Sequence, residues 1–419
     1  MTSPADMHRG LALRGYLAVT HLIPLVAKPI LKRRLGRGKE HPARWQEKQG
    51  LGLAPRPEGP LIWLHAVGLG EALSVRGLID RLAKARPDFS FLVTSTTAVS
   101  AEVFARNAPA RTLHQFLPLD AASYRRRFLD HFEPDMCVWV EQDLWPGLVS
   151  DLSARGTPQC LVAARMNAKS HRSHKKAGTL YRDLYKAMAL TTAQDDATAR
   201  HLQSLGATAK VTGSLKPAAP LLICDETELE TLRARLADRS IWAVAPAHPE
   251  DIAQARAAHR KMCDLDQSAL LIIVPRFPKA DMVFDGPRRS KGEVPGPHDP
   301  IWFCDTFGDM GLIYRLAQAA LIGGTFSDIE GHNPWEAAAL GCAILHGPRT
   351  ANFAADYAQL DAAGGAIRVQ TPDDIVNALV SGTLPRTAAH AAQTIAAAAR
   401  QTDALASELL QLYEVGNGR

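Results

Sequence analysis

The feature that most constrains this chain is a series of short apolar runs, residues 61–67, 89–95, 136–141 and 159–163, separated by helical patterns. The runs are mostly apolar on both faces, with polar residues chiefly toward their ends. A strand that is apolar on both faces has to be covered on both, as in a parallel sheet with helices above and below. Residues 72–85 and 101–106 carry the helical spacing that such crossovers need. The expected fold is therefore α/β, a βα-repeated open sheet. A second series follows at 241–245, 270–274, 302–305, 319–322 and 344–345, interrupted at 281–300 by a polar stretch rich in Gly and Pro that reads as a surface insertion. Gly and Pro also concentrate at 212–220, the expected passage between domains. Since 419 residues exceed what one core sustains, two domains are expected. The divisions are 1–44 as an N-terminal segment, 45–216 as a first open-sheet domain, and 217–419 as a second that includes the alanine-rich helical stretch 387–413.

In open parallel sheets ligands sit beyond the carboxyl ends of the strands, so the residues after each run matter most. After the first run comes Gly68-Leu69-Gly70-Glu71, opening a helix. A carboxylate there can serve as a general base or simply as a favourable partner of the helix start. After the third come Glu141, Gln142, Asp143, Leu144, Trp145 and Pro146, acids that could orient a sugar or cap the helix that Pro146 begins. Arg165 follows the fourth, with His171, Arg172, His174, Lys175 and Lys176 close behind, suited to an anion or to solvent. In the second half, the run at 319–322 ends in Gly323 and Gly324 and leads to His332-Asn333-Pro334-Trp335-Glu336. Asn333 suits an N-cap, Pro334 the first helical position, and Glu336 a capping box, giving an expected helix over 334–341. Its free N–H groups would make an anion site, with phosphate the natural guest; the alternative is a merely structural cap.

Hydrophobic residues make up 46% and charged residues 22%, ordinary for a folded globular chain. A net charge of +5 suits an anionic ligand or a membrane surface. Six cysteines without a CxxC pair fit reduced, buried thiols. Residues 15–27 carry no Lys, Arg, Asp or Glu but are too few to span a bilayer. Lys28, Lys32, Arg33, Arg34, Arg37 and Lys39 follow, so the segment reads as an interfacial helix held against anionic headgroups, or as a helix packed on the protein with a solvated charged end.

With these motifs in place, the chain resembles the Kdo transferases, GT-B enzymes that move 3-deoxy-manno-octulosonic acid (Kdo) from CMP-Kdo to a lipid A precursor. The matching residues are Trp63-Leu64-His65-Ala66-Val67 through Gly70-Glu71, Glu141 to Pro146, Ala164-Arg165, Ala193-Gln194, Thr212-Gly213 with Leu215-Lys216, Val274-Pro275-Arg276 with Pro278, Asp305-Thr306 with Gly308, Gly331 to Pro334 with Glu336, Gly347-Pro348, and Asn352-Phe353. The resemblance implies two Rossmann-like open-sheet domains facing across a cleft, with an N-terminal membrane-associated helix. It implies that Glu71 is the base, with inversion at Kdo, supported by Glu141 and Lys216. It implies that Pro275, Arg276, Phe307, Gly308, Asp309, Gly324, His332, Asn333, Pro334, Trp335 and Glu336 hold CMP, and that Gly70 and Arg165 lie on the acceptor side.

The implied partners are CMP-Kdo, a lipid A precursor and an anionic membrane surface at the cytoplasmic face of the inner membrane, with no nucleic acid. No cofactor and no metal are expected. The chain departs from the family pattern at Gly68, Gly147, Asn167 and Phe277, where Ser, Asn, Ser and His are usual, at Asp143 and Asp309, where Glu is usual, and at Glu330, where Gly is usual. A divergent relative using another nucleotide sugar or acceptor, and a noncatalytic membrane-surface protein that keeps the fold, are the alternatives.

Overall fold

The computed structural model of the chain describes residues 9–106, 108–142, 144–277 and 283–418. Asp143, Pro278 and Asp281, used in the sequence reading, lie outside the described residues, as do residues 1–8 of the N-terminal segment.

Two compact units form, Met1–Ala219 with Ala398–Arg419, and Pro220–Ala397. The last stretch thus belongs to the first unit and not to the 217–419 domain expected. The reason is an apolar face that the composition does not show. Leu405, Ala406, Leu409 and Tyr413 enter the core that also holds Ile62 and Phe89, and the Tyr413 ring stands 4.8 Å from that of Phe89.

The first unit carries seven strands: β1 (Leu61–His65), β2 (Ser90–Ser95), β3 (Thr112–Phe116), β4 (Met136–Val140), β5 (Gln159–Ala164), β6 (Leu190–Ala193) and β7 (Ala209–Val211). Their order is β3-β2-β1-β4-β5-β6-β7, parallel throughout. The four runs read from the sequence are β1, β2, β4 and β5, each buried along its length. β3 opens with Thr112, Leu113 and His114, too mixed in polarity for the same signal.

The second unit carries β8 (Ser240–Ala247), β9 (Ala269–Pro275), β10 (Ile301–Phe303), β11 (Ala319–Ile322), β12 (Ala343–His346) and β13 (Ala366–Arg368), again parallel, in the order β10-β9-β8-β11-β12-β13. The polar stretch before β10 is fastened rather than loose: Arg288 pairs with Asp305, and Arg289 with Glu228 and Asp309. In each sheet the strand order turns back once, between β1 and β4 and between β8 and β11. At such a point crossovers leave in opposite directions and open a crevice at the carboxyl ends.

Two helices, Leu11–Thr20 and Ile23–Leu35, precede the first sheet and meet at a bend of 58°. Leu13, Ala27 and Leu31 are buried, the Tyr16 hydroxyl donates to Asp120 Oδ2 at 2.7 Å, and the Gly10 N–H donates to Asp183 Oδ2 at 2.9 Å. Leu11, Val19, Leu22, Leu25, Val26 and Ile30 stay exposed. Among the described residues no single helix is long and apolar enough to cross a membrane.

Candidate active site

In the first unit the strand reversal brings together the residues that follow β1 and β4. Glu71 is the third residue of the short helix Leu69–Ser74, and its Oε2 accepts the N–H of Gly68. It thereby closes its own helix start, so the structural reading of this carboxylate is realised alongside any chemical one. A Cβ at Gly68 would stand 2.9 Å from Glu71 Oε2, which explains why the smallest residue fits before this acid. Gly70 is exposed, with open space where a Cβ would stand.

Glu141 directly follows β4 with φ at 63°, in the left-handed region that a residue other than glycine enters at a cost of roughly 1–2 kcal/mol. This turn aims a buried carboxylate at Lys216, whose Nζ donates to Glu141 Oε1 at 2.6 Å. The Glu71 carboxyl is held above the usual glutamate range, first by burial and then by the charge of Glu141; the Gly68 N–H, Lys216 and His65 pull the other way. A carboxylate raised in this way is a better proton acceptor than a solvated one. Arg165, just beyond β5, donates its backbone N–H to the Glu141 carbonyl at 3.4 Å. The structure therefore gathers Glu71, Glu141 and Lys216, with Arg165 attached through the main chain.

Gly147 stands where a Cβ would meet Arg125 Nη1 and Asp120 Oδ1 at 2.4 Å each. Arg125 pairs with Asp120 and Asp151, and Asp120 Oδ2 accepts the Gly147 N–H at 2.8 Å, so a buried polar network fills the space an asparagine would need.

In the second unit the expected helix over 334–341 is a single turn, Trp335–Ala338. Asn333 Oδ1 accepts the Trp335 N–H at 3.1 Å, and Asn333 Nδ2 donates to Glu336 Oε1 at 3.2 Å. The two side chains bond each other rather than closing a box on the backbone, and burial raises the Glu336 carboxyl. Four residues sum little of the dipole expected of a longer helix. The glycine loop differs too. Asp251 accepts the N–H groups of Gly324 at 2.6 Å, Phe326 at 3.1 Å and His248 at 2.9 Å, so an internal carboxylate holds the glycine loop that precedes that helix. Gly323 is required by closeness, since a Cβ would stand 1.7 Å from the Pro246 carbonyl oxygen.

Other residues expected around the nucleotide gather near this reversal. Pro275 ends β9, and Arg276 donates its N–H to the Ala247 carbonyl at 2.8 Å while its guanidinium lies 5.3 Å from the Phe277 ring. Pro334 and Trp335 are buried, and Trp335 Nε1 donates to Asp356 Oδ1 at 2.6 Å. Asp309 is already engaged by Arg289 and by the Thr306 hydroxyl, leaving the exposed Phe307 ring and Gly308 as the open part of that turn. A cavity of about 400 Å³ is lined there by Glu228, Arg289, Thr306, Phe307 and Asp309. Glu330 sits at φ 62°, where glycine is at ease, with its carboxylate on Arg349. His248 and Asp251, which the sequence reading did not assign to the site, follow β8, His248 directly and Asp251 in the first turn of the helix that Pro249 opens. Among the described residues no group of three or more His, Cys, Asp or Glu side chains is arranged to hold a metal ion.

Residues 43–219 match the family described as 3-Deoxy-D-manno-octulosonic-acid transferase (kdotransferase). A probable mitochondrial 3-deoxy-D-manno-octulosonic acid transferase of Arabidopsis thaliana is 33% identical over 360 residues, covering 81% of this chain and 80% of that one. The chain belongs to the Kdo transferase family. A Kdo transferase of Rickettsia bellii is 29% identical over 380 residues, covering 88% of this chain and 90% of the relative. Members of the family are glycosyltransferases, and so is this Kdo transferase homologue. Among solved structures, the glycotransferase of kitacinnamycin matches with a TM-score of 0.55 and 14% identity, covering 85% of this chain and 100% of that one. UDP-GlcNAc 2-epimerase from Neisseria meningitidis matches with a TM-score of 0.52 and 13% identity, covering 78% and 94%. At such identities the likeness concerns the fold, two parallel-sheet units of the GT-B class.

Proposed function

We propose that this chain transfers Kdo from CMP-Kdo to a hydroxyl of a lipid A precursor at an anionic membrane surface. The observation that carries the reading is Glu71, a carboxyl raised by burial and by Glu141, at the strand reversal of the first unit. In this reading Glu71 accepts the proton of the acceptor hydroxyl as that oxygen bonds to the anomeric carbon of Kdo. The bond from that carbon to the phosphate of CMP breaks, the electron pair leaves with the phosphate, and the configuration inverts. Within the ion pair beside the base, Glu141 raises the Glu71 carboxyl and Lys216 opposes it, and residues around the second strand reversal hold CMP. Family membership supports the donor and acceptor classes.

The membrane reading is supported by the exposed leucines of the two N-terminal helices and by Lys28, Lys32, Arg33 and Arg34 on the second, an apolar face with cations at its end. The deciding experiment incubates the chain with CMP-Kdo and a tetra-acylated lipid A precursor and weighs the lipid by mass spectrometry. A mass increase of one or more Kdo units is expected; an unchanged lipid alongside retained CMP binding would reject this acceptor.

A further inference from the structure

Two histidines meet at the strand reversal of the second unit. His248 follows β8 and His332 lies in the loop after β11, and their Nε2 atoms are 2.9 Å apart, with ring planes inclined by 9°. His248 is buried and His332 partly so. The charged and titratable groups around them come from each neighbouring element. Arg276 lies beyond β9. Asp251, on the helix Pro249–Leu265, accepts the His248 N–H. Tyr357, on the helix Ala354–Ala362, donates its hydroxyl to the His332 carbonyl at 2.9 Å. Asp251 is bound by three backbone N–H groups and raised by burial. Burial, His248 and Arg276 together bring the His332 imidazole down to about 4.

The bond between the rings dictates their tautomers. One ring donates Nε2–H and leaves its Nδ1 bare; the other accepts at Nε2 and carries its proton on Nδ1. One further proton, placed on the bare Nδ1, turns the pair into an imidazolium hydrogen-bonded to a neutral imidazole. The pair then carries a single positive charge and an N–H at both outer nitrogens. An anion at the crevice would favour that state, just as a neighbouring charge shifts any titration.

We propose that the His248–His332 pair is a proton-linked anchor for the phosphate of the donor nucleotide, taking one proton from solvent when the anion binds. This rests on the reading of the second unit as the nucleotide site. It supplies the positive charge that the single-turn helix and the Asp251-bound loop do not.

The test is calorimetric titration of the full chain with CMP, at pH values above the second phosphate ionisation near 6, in two buffers of different ionisation heat. Uptake approaching one proton per CMP is expected, with affinity falling toward tenfold per pH unit. Cytidine, which lacks the phosphate, should bind without either effect. His332→Gln and His248→Gln should flatten the CMP slope. CMP binding with no proton uptake and no pH slope would overturn the anchor while leaving the nucleotide reading intact. An equal slope for cytidine would overturn the link to phosphate. Failure of CMP to bind at any pH would overturn the nucleotide reading together with the anchor.

Discussion

Lys216 and Glu141 form an ion pair of 2.6 Å with both side chains less than one-tenth exposed, joining the end of β4 to the chain's exit from the first sheet. Breaking a buried pair from one side costs about 3–5 kcal/mol because the other charge is left without its partner. The same pair sets the field at Glu71. Lys216 lowers the carboxyl and Glu141 raises it, so their removal should move the base in opposite directions. Lys216→Met should shift the acid limb of the kcat/KM profile to higher pH, and Glu141→Gln should shift it to lower pH. Shifts of the same sign in both variants would argue against Glu71 as the titrating base.

Glu71→Gln tests the base directly. A general base contributes on the order of 10²- to 10⁴-fold, so kcat should fall by that factor while CMP affinity stays within about twofold. Stability should move the other way. A carboxyl raised on folding adds stability that is present at low pH and lost as pH rises through its folded pKa, so above that point the ionised Glu71 works against folding. The amide keeps an acceptor for the Gly68 N–H without the charge, and the thermal midpoint on the alkaline side should rise. A lowered midpoint would show that the carboxylate is mainly a structural cap.

Two glycines should respond oppositely to alanine. At Gly323 the added carbon meets a backbone oxygen at 1.7 Å, so the loop after β11 must shift; a loss of about 1–3 kcal/mol and weakened CMP binding are expected in denaturant titration and calorimetry. At Gly70 the carbon enters open space within a helix, where alanine gains up to about 1 kcal/mol. If Gly70→Ala folds at least as well as the parent but loses transfer, the acceptor approaches that backbone closely.

Glu330 occupies a backbone conformation that costs a side chain roughly 1–2 kcal/mol, offset in part by its bond to a half-exposed Arg349 worth about 0–1 kcal/mol. Glu330→Gly should therefore be neutral or stabilising, whereas Glu330→Ala keeps the strain, loses the pair and should destabilise. Equal unfolding midpoints for the two variants would dismiss the strain argument.

The membrane reading has a test that spares the core. Deleting residues 1–40 would uncover the pocket filled by Leu13 and remove Glu40 from Lys48. Changing exposed Leu11, Leu22 and Leu25 to Ser removes apolar surface without adding charge. Each leucine is worth about 1.5–3 kcal/mol when fully buried, so co-sedimentation with vesicles containing anionic lipid should drop more than about tenfold. Unchanged sedimentation would reject the interfacial role.

The architecture was legible in the sequence because a strand covered on both faces is rich in apolar residues on both, and β1, β2, β4, β5, β8, β9 and β11 each carry such a run, with polar residues at the ends of β1, β2, β5 and β8. Glu71 and Glu141 were found for the same reason, since they stand where such runs stop. Their meeting was decided by the strand order: β1 and β4 are neighbours only because the chain reverses after β3, a non-local pairing that no local pattern encodes. The second unit shows the limit more sharply. A capping motif at Asn333 suggested a helix over 334–341, yet packing shortened it to Trp335–Ala338, and the glycine loop before it is held by Asp251, more than seventy residues away. Local propensity specifies which residues can cap, turn or extend. Which carboxylate reaches an amide, and which two histidines share a proton, depends on the long-range contacts that only the folded chain makes.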